Sequence, residues 1–293
     1  MGPRHSRKAM FTDAWLTSSQ AVESSPVIYA DGQTTKRFAG RLDRVLVVDP
    51  QPSATRLVHE LLKDLGARSI ISESNPAKAL AFARKEEPQI IICEFTGPDF
   101  NGLDFVRALR RSDMACRQVP VIMVTAEATA ASITGARDAG VHEFLKKPFT
   151  IKDLTRRLEA VTLKGRDWVE AVRYIGPDRR RFNSGDYSGP RKRKSDATTT
   201  DSARVEQALR IMRSALQAID SDPHQAMRSM LAQATDLTKA GIALGDMRLT
   251  TAAGGLQACL NEVAETGRFN RPRIEAACLP LWVFLPADKS AAA

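Results

Sequence analysis

Four polar residues that could do chemistry stand at or just beyond the ends of short apolar runs. Two carboxylates, one hydroxyl and one ammonium group can together bind a charged ligand or hold a metal ion. They are Asp49, Glu94, Thr125 and Lys147. In an open parallel sheet, ligands bind at the carboxyl ends of the strands, where such side chains meet. The spacing therefore predicts one polar pocket, provided that the four apolar runs are neighbouring strands.

The apolar runs alternate with segments of helical periodicity between residues 44 and 161. The pattern predicts strands near residues 45–48, 69–72, 90–93, 121–124 and 144–145, each followed by a helix. Asn75 and Pro76 are typical of a helix start, and Gly66 and Gly140 of helix ends. Strands that are apolar on both faces and alternate with helices are typical of a parallel sheet covered by helices on both sides. We therefore expect an α/β domain with a five-stranded parallel sheet over residues 42–163.

The composition is that of a soluble globular protein with an excess of positive charge. The 293 residues include 43 Lys and Arg against 34 Asp and Glu, a net charge of +9, and 43% are hydrophobic. This charge favours an anionic partner. The four cysteines are far apart and form no C-x-x-C pattern, which indicates neither a disulfide framework nor a zinc site and favours the reducing cytoplasm. The apolar runs are shorter than the roughly 20 residues that a membrane-spanning helix needs, so we expect no membrane segment.

The rest of the chain divides by composition. Residues 1–41 are rich in Ser, Thr and Gln without a sustained period, and we expect a disordered tail there. Residues 164–200 are expected to be a basic flexible linker, and residues 288–293 a short tail. Residues 201–287 show helical spacing, with Pro223, Gly245 and Pro272 at the predicted boundaries. We expect four short helices in that segment, packed as a smaller all-α bundle that serves as an interaction domain.

Several motifs of the α/β segment occur together in a fixed order. They are Val-Leu-Val-Val-Asp49, Glu94 with Pro98 and Gly102 after it, Val-Thr125-Ala126, and Phe144-Leu-Lys-Lys147-Pro148-Phe149. This order and spacing resembles the receiver domain of bacterial two-component response regulators. The resemblance implies a flavodoxin-like fold and a role in phosphorelay signal transduction, with a histidine kinase or another regulator as the partner.

The resemblance also implies roles for the four pocket residues. In that family the aspartate at the end of the third strand is phosphorylated, two acids after the first strand hold Mg²⁺, and a hydroxyl and a lysine contact the phosphoryl group. Asp49, Thr125 and Lys147 match these positions, whereas Glu94 replaces the phosphorylated aspartate and Pro50 replaces the second metal-binding acid. Mg²⁺ requires nearly ideal octahedral geometry. We therefore expect no cofactor and no phosphorylation at the usual position, with Asp49 at most a weak Mg²⁺ ligand.

Glu94 leaves three interpretations open. Its extra methylene moves the carboxylate outward, where it could pair with Lys147, approach Thr125 and hold the domain near its activated arrangement. Alternatively, the site has decayed and Glu94 is a partly solvated carboxylate, or some phosphate chemistry remains. Phe144 stands where the family often has a switch aromatic residue that swings inward, although an apolar residue in a strand is also expected in the core.

The linker concentrates cations in a motif that occurs twice. Tyr174-Ile-Gly-Pro-Asp-Arg-Arg180 recurs as Tyr187-Ser-Gly-Pro-Arg-Lys-Arg193, 13 residues later. Arginine offers paired donors and a flat face, and tyrosine offers another stacking surface. The stretch resembles the arginine-rich extensions of receiver-like domains that bind cyclic di-GMP. The residues that would bind it are Tyr174, Arg179, Arg180, Arg181, Tyr187, Arg191 and Arg193. The alternatives are nucleic acid, a negatively charged protein face, or a solvated linker that binds nothing.

The helical segment resembles a histidine phosphotransfer domain in the run from Leu237 to Leu260. Matching Leu244 and Gly245 to that family places Thr235 where the phosphorylated histidine belongs. We therefore expect an interaction module without phosphotransfer. Together these features predict an atypical response regulator that acts by binding signalling proteins and not as an enzyme. The alternatives are a cyclic di-GMP effector, a receiver that is still phosphorylated, and a DNA-binding regulator.

Overall fold

The computed structural model describes residues 32–179 and 201–285. The strands are β1 (Arg44–Val48), β2 (Ser69–Glu73), β3 (Ile90–Glu94), β4 (Thr96–Gly97), β5 (Phe100–Asn101), β6 (Val121–Thr125), β7 (Glu143–Lys146), β8 (Trp168–Glu170) and β9 (Ile175–Pro177). The helices are α1 (Gly32–Arg37), α2 (Pro52–Asp64), α3 (Pro76–Glu86), α4 (Gly102–Arg111), α5 (Ala130–Asp138), α6 (Ile151–Thr162), α7 (Asp201–Gln217), α8 (Pro223–Leu244), α9 (Met247–Thr266) and α10 (Arg271–Cys278). Two 3₁₀-helices cover Ala115–Gln118 and Leu279–Phe284.

Five strands form one parallel sheet in the order β2-β1-β3-β6-β7. Each strand sends alternate side chains to opposite faces, so Leu46 and Val48 join one apolar cluster whereas Val45 and Val47 join the other. The helices that cover these clusters make the sheet buried on both sides, as strands with continuous apolar runs require. The predicted five-stranded α/β fold is confirmed, and so is Asn75 as a helix cap, because its side chain accepts hydrogen bonds from two backbone N–H groups of α3.

Residues 32–41 do not form the disordered tail that composition predicts. They contain α1, after which Phe38 and Leu42 are buried in the same cluster as Leu158 of α6. An ion pair of 2.6 Å between Arg37 and Glu159 adds a polar contact to α6. The prediction failed because a single buried aromatic residue in a polar stretch produces no period. Residues 1–31 lie outside the described part of the chain.

Residues 164–179 are likewise not the flexible linker that was predicted. Strands β8 and β9 pair antiparallel as a hairpin, which we define as residues 168–177. The hairpin lies so close to the turn after α5 that a Cβ atom at Gly140 would stand 2.3 Å from the carbonyl oxygen of Ile175. Gly140 has a φ of +88°, a conformation that glycine adopts without steric cost. Residues 180–200 of the predicted linker lie outside the described residues.

The segment 201–285, which we name the helical module, forms a bundle with its own apolar core. Helix α8 packs between α7 and α9, and the second 3₁₀-helix contacts both α7 and α9. The core is built from residues at helical spacing, such as Leu209 and Met212 of α7 and Leu256 and Leu260 of α9. The predicted helical region after the sheet is confirmed. In the described residues, no helix has the length and apolar character that crossing a membrane demands.

Candidate functional site

The carboxyl ends of β1, β3, β6 and β7 lie side by side, which brings the four predicted pocket residues to one edge of the sheet. Lys147 Nζ donates to Glu94 Oε2 at 2.5 Å and to Asp49 Oδ2 at 3.2 Å. Thr125 is buried at the same edge, but its hydroxyl accepts a hydrogen bond of 3.1 Å from the backbone N–H of Glu127. The expected pairing of Glu94 with Lys147 is therefore present. The expected approach of Glu94 to the Thr125 hydroxyl forms no hydrogen bond.

The backbone around Glu94 fixes where its carboxylate can lie. Glu94 Oε1 accepts a hydrogen bond of 2.8 Å from the N–H of Phe95, so one oxygen is tied to the chain and the other faces Lys147. A Cβ atom at Gly102 would lie 2.0 Å from the carbonyl oxygen of Glu94. Glycine at the start of α4 is thus required for the close packing of this helix against the end of β3.

The residues present do not fit the Mg²⁺ site that the family resemblance implies. The carboxylate of Asp49 accepts from the N–H of Gln51 at 2.8 Å and from Lys147, and both oxygens of Glu94 also accept hydrogen bonds. All four carboxylate oxygens are therefore already engaged within the protein. Pro50 lies where a second acid would be needed, and its ring packs so tightly that a Cβ at Gly97 would be 2.6 Å from it. In the described residues, no group of three or more His, Cys, Asp and Glu side chains could hold a metal ion.

The electrostatics of the pocket favour a charged lysine and a protonated thiol. Burial lowers the pKa of Lys147, but the hydrogen bond and charge of Glu94, together with Asp49, outweigh burial and raise it. Burial raises the pKa of Cys93 well above its usual range, and the charges of Glu94 and Asp49 raise it further. Cys93 is therefore a thiol and not a nucleophile at neutral pH. The pocket has the chemistry of a permanent ion pair.

Phe144, which the family resemblance places at the position of a switch aromatic residue, lies in the core. It is 7% exposed and belongs to the same apolar cluster as Met123 and Val106. The structure thus shows the inward orientation of this ring. This burial agrees with the interpretation of Phe144 as a core residue.

The predicted anion-binding residues of the linker are engaged with the fold where the structure describes them. Tyr174 is 8% exposed and its hydroxyl donates to the carbonyl oxygen of Pro177 at 2.5 Å. The guanidinium of Arg179 covers the Tyr174 ring at 4.3 Å and pairs with Asp138 at 2.8 Å. Tyr174 is therefore not a free stacking surface, which corrects that prediction. The other predicted anion-binding residues, Arg180, Arg181, Tyr187, Arg191 and Arg193, lie outside the described residues.

Sequence reasoning missed Glu170, a buried carboxylate of the hairpin that contacts both the α/β domain and the helical module. It is 3% exposed and binds Arg117 from one side and Gln225 of α8 from the other. Arg117 and Gln225 are each more than 50 residues away from Glu170 in sequence, so no local signal marks the contact with both parts of the chain. Thr235, the residue aligned with a phosphotransfer histidine, donates its hydroxyl hydrogen bond to the carbonyl oxygen of Leu231 within α8.

Comparison with known proteins places the similarity in the α/β domain. The family model of the response regulator receiver domain matches residues 45–159. Chemotaxis protein CheY-3 of Vibrio cholerae is 30% identical over 118 residues, which are 40% of this chain and 90% of that protein. The chemotaxis protein CheY of Pseudomonas aeruginosa is 31% identical over 118 residues, 40% of this chain and 94% of that protein. A solved structure of CheY4 from Vibrio cholerae is 28% identical and covers 41% of this chain and 98% of that one, with a TM-score of 0.39.

Proposed function

This chain belongs to the response regulator receiver family, and we propose that it is a pseudo-receiver, which signals by binding other proteins without phosphorylation of its pocket. The receiver domain itself connects the chain to two-component signalling. The contact of 2.5 Å between Glu94 Oε2 and Lys147 Nζ carries the proposal. It puts a permanent negative charge beside the lysine that, in the family, contacts a phosphoryl group. A fixed charge in this place acts as a phosphomimetic, because the lysine is held as it would be by an added phosphate.

The geometry of the carboxylates supports the absence of phosphoryl transfer. A carboxylate nucleophile needs a free oxygen in line with phosphorus and a cation that neutralises the phosphoryl oxygens. Both oxygens of Glu94 accept hydrogen bonds, and the position next to Asp49 holds Pro50 instead of an acid. The protein therefore acts as an adaptor that binds its partners, and it is not an enzyme.

The face formed by α5, β7 and α6 is the docking surface that we propose for a signalling partner, such as a histidine kinase or another regulator. This assignment rests on analogy with the family. The helical module makes polar contacts with the end of α4, through the ion pair of Asp222 with Arg111 and the hydrogen bond that Arg228 donates to the carbonyl oxygen of Ser112. Thr134 of α5, Lys146 of β7 and Lys152 of α6 remain exposed. A partner could therefore bind this face without displacing the helical module.

Phosphorylation with a small phosphodonor tests the proposal. We expect the wild-type protein with Mg²⁺ and phosphoramidate to show no gain in intact mass. The variant that combines Pro50→Asp with Glu94→Asp should gain about 80 Da, the mass of one phosphoryl group, because both missing acids are restored. Glu73→Asp, at the end of the neighbouring strand β2, is the matched control and should stay unmodified. Equal modification of the wild type and the double variant would refute the proposal.

Cyclic di-GMP binding is the alternative that calorimetry can test. Of the described linker residues, Arg179 and Tyr174 are occupied by each other and by Asp138. These two residues therefore offer no free stacking surface, and the function we propose requires no heat of binding from the full chain. Saturable binding that disappears when Arg179 and Arg180 are both changed to Ala would favour the nucleotide effector instead.

A further inference from the structure

The seam between the receiver and the helical module is made mainly of polar and charged groups, beside one apolar contact of Val172 with the core of the helical module. We define the seam as the contacts of α8 with the hairpin and with the end of α4. The apolar cores of the receiver and of the helical module are separate clusters, so neither needs the other to bury its main core. Interfaces of this polar kind between domains commonly open and close, whereas obligate interfaces are hydrophobic.

We infer that the helical module is held on the receiver by a reversible polar latch centred on Glu170. Release of this latch would expose the face of α8 that now covers the hairpin. This inference concerns the amino-terminal edge of the sheet and does not depend on the state of the pocket at the opposite edge.

The Glu170 side chain collects donors from both sides of the seam. Arg117 Nη2 and Nη1 donate at 2.5 and 3.2 Å, and Trp168 Nε1 donates at 3.0 Å. From the helical module, Gln225 Nε2 donates at 2.9 Å, and the guanidinium of Arg228 lies 3.7 Å away. Burial raises the pKa of Glu170, but these hydrogen bonds outweigh it and lower the pKa. Glu170 is therefore ionised at neutral pH, and one buried charge joins the two parts of the chain.

The backbone of the hairpin is bound by one face of α8. Ser229 Oγ and Gln233 Nε2 donate to the carbonyl oxygen of Glu170 at 2.9 and 3.2 Å, and Gln225 Nε2 donates to Ala171 at 3.3 Å. Residues 225, 229 and 233 are four apart and so share one side of the helix. All three are buried although they are polar. Their burial is explained by the hairpin, because they donate hydrogen bonds to backbone carbonyl oxygens at the end of strand β8.

The rim of the seam adds contacts that water can replace. Arg111 pairs with Asp222 at 2.8 Å and donates to the carbonyl oxygen of Val172 at 3.0 Å. Arg228 Nη1 donates to the carbonyl oxygen of Ser112 at 2.8 Å, whereas its buried Nε has no partner in the structure. An unsatisfied buried donor lowers the stability of the closed seam. The ionised Glu170 is thus the main group that opposes opening.

Hydrogen exchange of the full chain, followed by mass spectrometry, tests the latch. Glu170→Gln keeps the shape but leaves Arg117 without an anion, which strongly destabilises a buried pair. We expect exchange at least about tenfold faster in residues 168–177 and 225–233, with residues 90–94 and 256–263 unchanged, because local opening exposes only the seam. Glu262→Gln is the matched control, since it removes an ion pair with Arg273 that is remote from the seam, and it should leave seam exchange unchanged.

Two results would overturn the inference. One is wild-type exchange at the seam of Glu170→Gln, which would mean that the carboxylate does not hold the module. The other is faster exchange in all four segments together, which would mean that the chain opens only as one cooperative unit. If Glu170→Gln fails to fold, Arg228→Met gives a second reading, because it removes the donor to Ser112 without leaving a buried anion or cation unpaired. It should show the same pattern with a smaller change, and unchanged seam exchange in this variant would also count against the latch.

Discussion

Replacing Lys147 with methionine removes the cation that Asp49 and Glu94 share. Both carboxylates belong to residues only 8% exposed, and each lies within hydrogen-bond distance of the same nitrogen atom. Two oxygens at 3.2 and 2.5 Å from one nitrogen are no more than about 6 Å apart. Without the lysine, this pair of like charges repels by about 3 kcal/mol at an effective dielectric constant of about 20.

We therefore expect Lys147→Met to lower the free energy of unfolding by about 2 to 4 kcal/mol at pH 7.5. The measurement is equilibrium urea unfolding followed by circular dichroism. Lys152→Met is the control, because Lys152 is exposed on α6, and it should change the free energy by less than about 0.5 kcal/mol. Adding Glu94→Gln to Lys147→Met removes one of the two repelling charges, so the double variant should be more stable than Lys147→Met alone. The reasoning is refuted if Lys147→Met matches Lys152→Met, or if its effect simply adds to that of Glu94→Gln.

Three further predictions follow from packing and burial. Gly102→Ala should lower the free energy of unfolding by about 3 kcal/mol in urea titrations because its Cβ meets a backbone oxygen, whereas Gly254→Ala on α9 should raise it by up to about 1 kcal/mol. Nδ1 of His142 accepts two hydrogen bonds, and burial lowers the pKa of His142 well below 6.5. As the pH falls, the unfolded chain therefore binds a proton at this residue before the folded protein does, and the free energy of unfolding should fall by about 1.4 kcal/mol on going from high pH to pH 5.5. His142→Asn should remove that loss. Phe38→Ala should lower the free energy of unfolding by about 3 kcal/mol, which thermal unfolding would register as a lower midpoint. Phe269 is more exposed, and an equal effect of Phe269→Ala would show that Phe38 is not a core residue.

The sheet and its pocket were predictable because both follow from periodic signals. Each central strand has a run of apolar residues that a polar residue follows, at the last position of β3 and β6 and just beyond β1, and the parallel order puts those ends together. The pairing of Glu94 with Lys147 follows from the length of the glutamate side chain. The direction of the Thr125 hydroxyl does not, because it depends on the turn that presents the N–H of Glu127.

Helix α1 and the hairpin, which flank the receiver in sequence, could not be predicted because tertiary contacts determine their structure. The three-residue strands of the hairpin are too short for a period of two to be visible. Arg110 is only 1% exposed, although a charged residue is expected at the surface when only the sequence is known. It is buried because the carbonyl oxygens of Gly140, Arg117 and Val119 surround its guanidinium. Those acceptors exist only after the fold has formed.

The positions of the pocket and of the seam together indicate which part of the protein can change state. Strand β6 ends at Thr125, and strand β7 ends next to Lys147. At the opposite ends of these two strands lies His142, which contacts the Trp168 ring of the hairpin. The pocket at the carboxyl edge holds the ion pair of Lys147 with Glu94 and Asp49, and the function we propose excludes a phosphoryl group as a signal there. The seam at the amino edge is polar and separates two complete cores. If both proposals hold, the conformational variable of this protein is the docking of the helical module, and the receiver is the rigid surface on which it docks.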